Sequence, residues 1–314
     1  MPKQSHLQDA EKVLFNKGKS FYWASYLLNK QHAERAARLY YLCRYIDDIG
    51  DEGSSDEISR QLLLKVKDAI HSNYSDNEIL IDGIDLINEC EIDKLYFYDL
   101  IEGVISDTYN VRVEDQSQLL RYCYQVAGTV GLMMTKILNT PHEAAYPFAV
   151  DLGIAMQLTN ICRDVKLDAM MNRRYIPANF INNLEPSSLI NPSEQDKVLI
   201  VTAIYNMLSL AEKYYESGRK GLSYLPLRAR LSILVAAQIY REIGRELIRQ
   251  NGEYWHHRIT ISAFKKLLIT IWSLLAFSFT TSFWRHPKKH DDNLHKGFMK
   301  RVNSELNIPN SHAN

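Results

Sequence analysis

Two segments of the chain carry polar and acidic residues at spacings of three and four, which place side chains on one face of a helix. The segments are LYYLCRYIDDIGDE (39–52) and AVDLGIAMQLTNICRDVKLDA (149–169). The polar stripes consist of Tyr40, Arg44, Asp47 and Asp51, with Asp48 beside them, and of Gln157, Asn160, Asp164 and Asp168. Each stripe lies in an otherwise apolar helical run, so burial of these carboxylates against protein is expected.

Buried carboxylates are costly unless they are paired or bound to a metal, and like charges four residues apart repel. Carboxylate and amide oxygens are hard ligands that suit Mg²⁺, which is usually shared with substrate phosphates. Arg44 and Arg163 each lie within a turn of an aspartate pair, and a guanidinium suits phosphate oxygens. The two stripes together predict Mg²⁺ ions, or Mn²⁺ as an alternative, that hold a diphosphate between two helices. Either stripe by itself could equally be a charged, solvent-facing helix surface.

The composition is that of a globular protein. Of 314 residues, 46% are hydrophobic and 24% charged, which excludes disorder as the main state. The 37 basic and 37 acidic side chains balance, which argues against a nucleic-acid binder. The cysteines are widely spaced, which predicts reduced thiols in a cytosol rather than a zinc site or disulfides. The polar first dozen residues resemble neither a signal peptide nor a transit peptide.

Helical periodicity dominates the chain, and strand patterns are hard to find. With only 13 glycines and 9 prolines, long stretches lack helix breakers. The sequence therefore predicts an all-α, single-domain protein of roughly eight to ten helices. Helical spacing covers 20–49, 117–138, 144–171, 195–217 and 227–250. Loops are predicted at 51–56, 139–142, 172–193 and 218–226.

A stretch of eighteen uncharged residues, 267–284, lies between basic residues near the end of the chain. It is shorter than the roughly 20 apolar residues of a membrane span, and six of its residues are Ser or Thr. Two interpretations stay open for a helix over about 262–284: a last core helix, or an interfacial helix anchored by Trp272 and Trp284. The segment 286–314 is predicted to be a polar, mobile tail.

Five motifs in order resemble the squalene/phytoene synthases, the head-to-head prenyltransferases, from about residue 20 to about 268. They are SFYWASYLL (20–28), YLCRYIDDIGDE (41–52), YCYQVAGTVG (122–131), QLTNICRDVKLDA (157–169) with RRYIP (173–177), and LPLRARLSILVAAQIYREIG (225–244). The last block is most similar to the phytoene synthases. The resemblance implies one isoprenoid-synthase-type helical bundle around a central hydrophobic cavity, covering 1–285. Asn29 and Asn172 depart from the family pattern, and neither is at a metal-ligand position.

The resemblance also implies roles for individual residues. The implied metal ligands are Asp47, Asp48, Asp51, Asn160, Asp164 and Asp168. The implied catalytic residues are Asp47, Asp51, Asp164, Asp168 and Tyr124, the last as an aromatic ring that faces the reaction centre. The implied substrate-binding residues are Ser20, Phe21, Tyr40, Arg44, Gln157, Arg163, Tyr240 and Arg258.

The implied reaction is the Mg²⁺-dependent condensation of two geranylgeranyl diphosphates to 15-cis-phytoene through a cyclopropylcarbinyl diphosphate, without NADPH. Small residues at Ser25 and Ala37 are expected to leave a deep pocket, which favours C20 over C15 substrates. The alternatives are a squalene, dehydrosqualene or presqualene diphosphate synthase that uses farnesyl diphosphate, a terpene cyclase, and a non-catalytic assembly homologue. The expected location is cytoplasmic, peripheral at the inner face of the cell membrane, with contact to upstream or downstream carotenoid enzymes.

Overall fold

The computed structural model describes residues 4–52 and 55–298, and within these ranges it contains fourteen α-helices and no β-strand. This confirms the all-α prediction, and the four helices of eight residues or fewer account for the excess over ten. The helices are α1 Gln4–Lys17, α2 Lys19–Ser25, α3 Lys30–Glu52, α4 Asp56–Ser72, α5 Glu78–Glu89, α6 Lys94–Ser106, α7 Gln116–Cys123, α8 Thr129–Ile137, α9 Tyr146–Met170, α10 Pro186–Ile190, α11 Glu194–Gly221, α12 Leu227–Arg249, α13 Ala263–Ser278 and α14 Thr281–Trp284.

Local sequence determines where many of these helices begin. A side-chain oxygen at the N-cap accepts a backbone hydrogen bond and satisfies one of the unpaired N–H groups of the first turn. Such caps begin α4, α5, α6, α7, α11 and α13 at Ser55, Asn77, Asp93, Asp115, Ser193 and Ser262. At the other end of α4, Asn73 adopts a left-handed conformation with φ 55° and terminates the helix.

The 25-residue helix α9 is the central element of the bundle, packing against α8, α10, α11 and α12. Glycines bring its backbone against the neighbouring helix. A Cβ added at Gly153 would lie 2.2 Å from the carbonyl oxygen of Ala127, and one at Gly131 would lie 2.2 Å from that of Ala149. The segment 124–128, between α7 and α8, is a π-helical turn in an otherwise continuous helical run. Such turns are frequent at functional sites.

The predicted loop at 218–226 is wrong in its first half. Helix α11 continues to Gly221, and a 3₁₀ turn follows over Leu222–Tyr224. Gly218 and Gly221 lie directly against the side chains of Leu152 and Phe148 on α9. These glycines therefore permit close helix packing at a small cost in helix propensity, and they do not mark a chain turn.

The predicted helix over about 262–284 is divided into α13 and α14, with Phe279 and Thr280 between them. The inner face of α13 is tied to the body of the protein, because Trp23 Nε1 donates a hydrogen bond to Thr270 Oγ1 at 3.0 Å. The outer face is apolar and exposed, and we call it the α13 outer face; it comprises Phe264, Leu268, Ile271, Trp272 and Leu275. Among the helices in the described ranges, none combines the length and apolar character that crossing a membrane requires.

The described part of the predicted polar tail, 286–298, packs onto the bundle, which corrects the expectation of a mobile tail beyond a boundary at 285. Tyr214 Oη donates a hydrogen bond to the carbonyl oxygen of Leu294 at 2.7 Å. The ring of His286 stacks on Tyr224 at a centroid distance of 4.3 Å. Polar residues in this segment make specific buried contacts, which composition does not reveal. The remainder, 299–314, lies outside the described residues.

Candidate active site

A cavity of about 670 Å³ extends through the bundle between α2, α3, α8, α9 and α12. One end is polar and is lined by Ser20, Tyr40, Asp47, Gln157, Asn160, Arg163, Tyr240 and Arg258. The rest is mainly apolar and includes Leu39, Val130, Met134, Leu138, Phe148, Leu152, Met156 and Leu225. This lining suits an apolar molecule with one charged end.

Seven of the eight predicted substrate-binding residues line this cavity, and they include Phe21, whose ring lies 5.0 Å from that of Tyr240 and 6.3 Å from that of Tyr40. Together these three aromatic rings cover the cavity wall where α2, α3 and α12 meet. The eighth, Arg44, is not among the lining residues. It forms an i,i+4 ion pair with Asp48 on α3.

The first acidic stripe begins at the cavity wall and continues beyond it. Asp47 lines the cavity, and burial raises the pKa of its carboxyl to about 7, with Asp51 adding to the rise and Arg44 opposing it. Asp51 lies one turn further along α3, where its Oδ1 accepts a hydrogen bond from Arg173 Nη1 at 2.8 Å. Asp47 therefore binds a proton readily unless another cation is present.

The second stripe lies opposite the first on α9. Asp164 accepts hydrogen bonds from Arg163 and from Arg258, whose Nε lies 2.7 Å from Oδ1. Burial opposes ionisation of Asp164, but these hydrogen bonds outweigh it and lower its pKa. The pKa of Asp168 is raised well above its usual range by burial, by Asp164 and by carboxylates from other elements that include Asp51. The two stripes thus meet in space.

The donor set suits a hard divalent cation. Within the described part of the chain, the buried side-chain oxygen of Asn160 has no hydrogen-bond partner, while its Nδ2 donates to Gln157 Oε1 at 3.4 Å. An unpaired buried amide oxygen is costly, and a metal ion would satisfy it. Crowded carboxylates with raised pKa values, such as Asp47 and Asp168, are likewise stabilised by a cation.

Comparison with known proteins agrees with this geometry. The family model described as squalene/phytoene synthase matches residues 14–265. The chain belongs to the squalene/phytoene synthase family. Members of this family are prenyltransferases and are generally metal-dependent. The chain is therefore a prenyltransferase.

Individual relatives cover most of the chain. It is 31% identical to a 15-cis-phytoene synthase of Enterobacter agglomerans over 267 residues, which is 81% of this chain and 90% of the relative. It is 30% identical to a 4,4'-diapophytoene synthase of Staphylococcus haemolyticus, across 84% of this chain and 94% of the relative. Among solved structures, a dehydrosqualene synthase in complex with ligand superimposes with a TM-score of 0.77 at 26% identity, covering 88% of this chain and 98% of that one.

In this family member the structure adds Asp107, which follows α6, to the two acidic stripes. Asp107 accepts hydrogen bonds from Tyr175 Oη at 2.6 Å and Tyr122 Oη at 2.8 Å. Burial raises its pKa to about 6, with Asp51 adding to the rise. In the sequence, no acidic residue lies three or four positions from Asp107, so a search for acidic residues at helical spacing does not find it. Its hydrogen-bond partners Tyr122 and Tyr175 both lie in the family motifs, and they were the signal in the sequence that could have pointed to Asp107.

Arg173 is a second site residue that the helical spacing of the acidic stripes does not indicate. It lies in the RRYIP motif after α9, and it bonds to Asp51 on α3. Its positive charge also acts on Asp107 and Asp168, lowering the pKa of each against the dominant effect of burial. Arg173 thus holds the ends of the two acidic helices together across the site.

Tyr124 does not occupy the position that the resemblance implied. It is 2% exposed and is not among the residues that line the cavity. Its hydroxyl donates a hydrogen bond to Asp99 Oδ2 at 3.0 Å, and its ring stacks on Phe298. In the same π-helical turn, Val126 and Ala127 line the cavity instead. The structure therefore places Tyr124 outside the cavity wall, which corrects the expectation that its ring faces the reaction centre.

The two small residues expected to deepen the pocket are placed differently. Ser25 lines the cavity, as expected. Ala37 does not, because it is buried against Ala10 and Leu14 of α1. Its neighbour Ala36 lines the cavity in its place. Adjacent residues on a helix point about 100° apart, so a one-residue error changes which surface a side chain contacts.

Proposed function

We propose that this prenyltransferase is a 15-cis-phytoene synthase of carotenoid biosynthesis. It would condense two geranylgeranyl diphosphates head to head through a cyclopropylcarbinyl (prephytoene) diphosphate and release diphosphate. The observation that carries the proposal is the length of the apolar cavity. It is lined from Asn160 to Phe148 on α9, a distance of about 18 Å along the helix axis. The relatives named 15-cis-phytoene synthase support the same substrate class.

The polar end of the cavity is suited to bind a diphosphate. Arg163 and Arg258 lie on either side of Asp164, and the Arg258 side chain is 51% exposed at the cavity mouth. A guanidinium in this position can transfer from a carboxylate to a phosphate oxygen. Mg²⁺, when bound, supplies positive charge that stabilises the leaving diphosphate. The residues proposed to hold it are Asp47, Asp48, Asp51, Asn160, Asp164 and Asp168.

The remaining cavity residues would protect the cationic intermediate. Apolar side chains exclude water from the reacting carbons. Aromatic faces stabilise a nearby cation, and the rings of Phe21, Tyr40 and Tyr240 lie together on the wall. Burial raises the pKa of both Tyr40 and Tyr240. Both phenols are therefore neutral at physiological pH and contribute their rings and hydroxyl groups rather than a negative charge.

A product assay tests this function directly. The enzyme is incubated with geranylgeranyl or farnesyl diphosphate, with Mg²⁺, Mn²⁺ or EDTA, and with or without NADPH, and the hydrocarbons are identified by mass spectrometry. We expect a C40 product from the C20 substrate that requires metal and does not require NADPH. Asp164→Asn should abolish it, whereas Asp85→Asn, an exposed carboxylate on α5, should not. An active Asp164→Asn variant would contradict the assigned metal site.

A C15-specific synthase is the second candidate. The similarity to a dehydrosqualene synthase structure and to a 4,4'-diapophytoene synthase favours it. The same assay separates the two functions, because a C15-specific enzyme would release only C30 hydrocarbon and would not use the C20 substrate.

The proposal includes peripheral attachment at the cytoplasmic inner face of the cell membrane. Apolar residues exposed together mark an interaction surface, and the α13 outer face is of this kind. Lys266, on the inner side of the same helix, lines the cavity together with Ile259 and Ile261. A hydrocarbon product would therefore leave close to the bilayer, where contact with upstream or downstream carotenoid enzymes is also expected.

Flotation with anionic vesicles tests this attachment. Trp272→Glu with Leu275→Glu should prevent co-flotation, because charged residues are expensive to place in the interfacial region. Ile58→Glu with Leu62→Glu, which alters exposed apolar residues on α4, is the matched control and should leave flotation unchanged. Equal flotation of all three proteins would exclude the α13 outer face as the attachment surface.

A further inference from the structure

A second cluster of metal-binding side chains lies far from the two acidic stripes. It consists of Asp151, near the start of α9, and of His290 and His295 in the segment after α14. His290 Nε2 lies 2.8 Å from Asp151 Oδ2, and His295 Nε2 lies 2.7 Å from Asp151 Oδ1. Because Asp164 follows Asp151 by 13 positions on α9, about 20 Å of helix separates this cluster from the second stripe.

The cluster is enclosed by protein. The relative exposure of Asp151 is 0%, that of His295 is 5% and that of His290 is 9%. Phe148 packs edge-on against His290 at a centroid distance of 5.1 Å, and Phe298 lies 5.2 Å from His295. A buried carboxylate in such an apolar shell needs a positive charge nearby.

The arrangement of hydrogen-bonding groups indicates what supplies that charge. An ionised carboxylate only accepts hydrogen bonds. His290 has a carboxylate at each ring nitrogen, since its Nδ1 lies 3.3 Å from Asp292 Oδ1. The His290 ring therefore carries either a proton on each nitrogen, or a proton on Nδ1 and a metal ion on Nε2. The second state matches the carboxylate–histidine–metal arrangement that orients metal-bound imidazoles in proteins.

We infer that Asp151, His290 and His295 bind one Zn²⁺ ion, which fastens the segment 286–298 to the central helix α9. Two imidazole nitrogens and a carboxylate oxygen are ligands that suit Zn²⁺. Bond lengths of about 2.0–2.1 Å place tetrahedral ligand atoms about 3.3 Å apart. The three ligand atoms already lie within 4.8 Å of one another. The two hydrogen-bonded N···O distances, 2.8 and 2.7 Å, would each lengthen by about 0.5 Å to admit the ion. A water molecule completes the coordination.

Metal content and cobalt spectroscopy of the full chain test the site. The protein is stripped with EDTA, titrated with Zn²⁺ and washed, and the retained zinc is measured by mass spectrometry. We expect about one zinc ion per chain. In a parallel sample, Co²⁺ should give the visible absorption of tetrahedral coordination. His290→Ala with His295→Ala should lose both signals, whereas His286→Ala, a histidine of the same segment outside the cluster, should retain them.

Two further variants separate this site from the catalytic cation site and from a general loss of structure. Asp164→Asn with Asp168→Asn should retain the cobalt spectrum, because it changes only the distant carboxylates. Asp292→Asn removes the carboxylate at Nδ1 of His290, and it should weaken zinc binding about 10- to 100-fold. Since the Asp292 side chain is 49% exposed, this variant should fold even if the double histidine variant does not.

The inference is overturned if stripped wild-type protein retains no zinc and gives no tetrahedral cobalt spectrum. In that case the three residues form a hydrogen-bonded clamp only. It is equally overturned if zinc retention survives in the histidine variants, or is lost in Asp164→Asn with Asp168→Asn. None of these outcomes depends on the identity of the prenyl substrate.

Discussion

At the scale of single residues, the site combines carboxylates of two kinds. Asp164 is held ionised by hydrogen bonds from two arginines. Asp47, Asp107 and Asp168 have raised pKa values because they are buried close to other carboxylates. A protein that crowds such groups without neutralising them loses stability at neutral pH. The arrangement is therefore one that a bound cation completes.

Substitution of Asp107 tests whether this carboxylate and the two acidic stripes bind the cation together. Asp107→Asn keeps the side-chain volume but removes one negative charge and alters the hydrogen bonds from Tyr122 and Tyr175. We expect the apparent Mg²⁺ affinity, measured from the metal dependence of turnover, to fall about 10- to 100-fold. Asp76→Asn, at an exposed position before α5, is the control. Unchanged metal dependence in Asp107→Asn would show that Asp107 serves only to bind the tyrosines.

The raised pKa values also predict how metal binding depends on pH. An aspartate in an unfolded chain has a pKa near 4, whereas burial raises the pKa of Asp47 to about 7 and that of Asp107 to about 6. Between these values the folded, metal-free protein binds more protons than the unfolded chain, so its stability falls as pH rises from about 4 to 7. Mg²⁺ must displace those protons, and its binding should therefore strengthen as pH increases.

Thermal unfolding with and without Mg²⁺ measures this effect. The apparent affinity should rise on the order of tenfold between pH 6 and pH 8, and Mg²⁺ should raise Tm more at pH 8. Asp47→Asn should bind more weakly and show a smaller dependence on pH. An identical Mg²⁺-induced shift in Tm at both pH values would contradict the prediction.

At the scale of helices, the close contact between α9 and the helical run from α7 to α8 requires glycine where the two backbones cross. The Cβ of Gly153→Ala would lie 2.2 Å from a backbone oxygen, which cannot move without displacing its helix. We expect this substitution to lower the free energy of unfolding by about 1–3 kcal/mol or more, measured by urea denaturation.

Gly297→Ala is the matched control for this packing, because among the described residues its added Cβ would meet only Ser117 Oγ, at 3.6 Å. Its effect should stay within about 0.5 kcal/mol. If Gly153→Ala were equally mild, the two helices could separate without cost, and the close backbone contact would not be a requirement of the fold.

At the scale of the whole molecule, the proposed function predicts that the cavity selects the length of the prenyl chain. Ala149 lines it three turns from Asn160 on α9. Ala149→Phe should fill the far end and shorten the space available to the hydrocarbon. We expect the ratio of C20 to C15 turnover, measured by product analysis in competition, to fall on the order of tenfold or more.

The neighbouring exposed position provides the control for cavity length. Ala144→Phe adds the same ring outside the cavity and should leave the substrate ratio unchanged. If Ala149→Phe lowered turnover of both substrates equally, the far end of the cavity would not determine which prenyl chain length the enzyme prefers.

Much of the fold and part of the site were predictable from the sequence. Helical period, side-chain caps and the spacing of Asp47, Asp51, Asp164 and Asp168 are properties of neighbouring residues, so they can be read without knowing the fold. The motifs in order were sufficient to indicate the family. The sequence by itself thus determined an all-α prenyltransferase with two acidic helices.

Only the tertiary structure decided which distant residues meet. Asp107 joins the acidic stripes from the position after α6. Tyr124 lies behind the cavity wall, and Asp151 contacts two histidines of a segment that composition describes as a polar tail. These contacts depend on how helices cross and on which side of each helix is buried. Packing of that kind is a property of the whole chain, because a rotation of one helix by a single residue, about 100°, exchanges a cavity-lining side chain for a buried one.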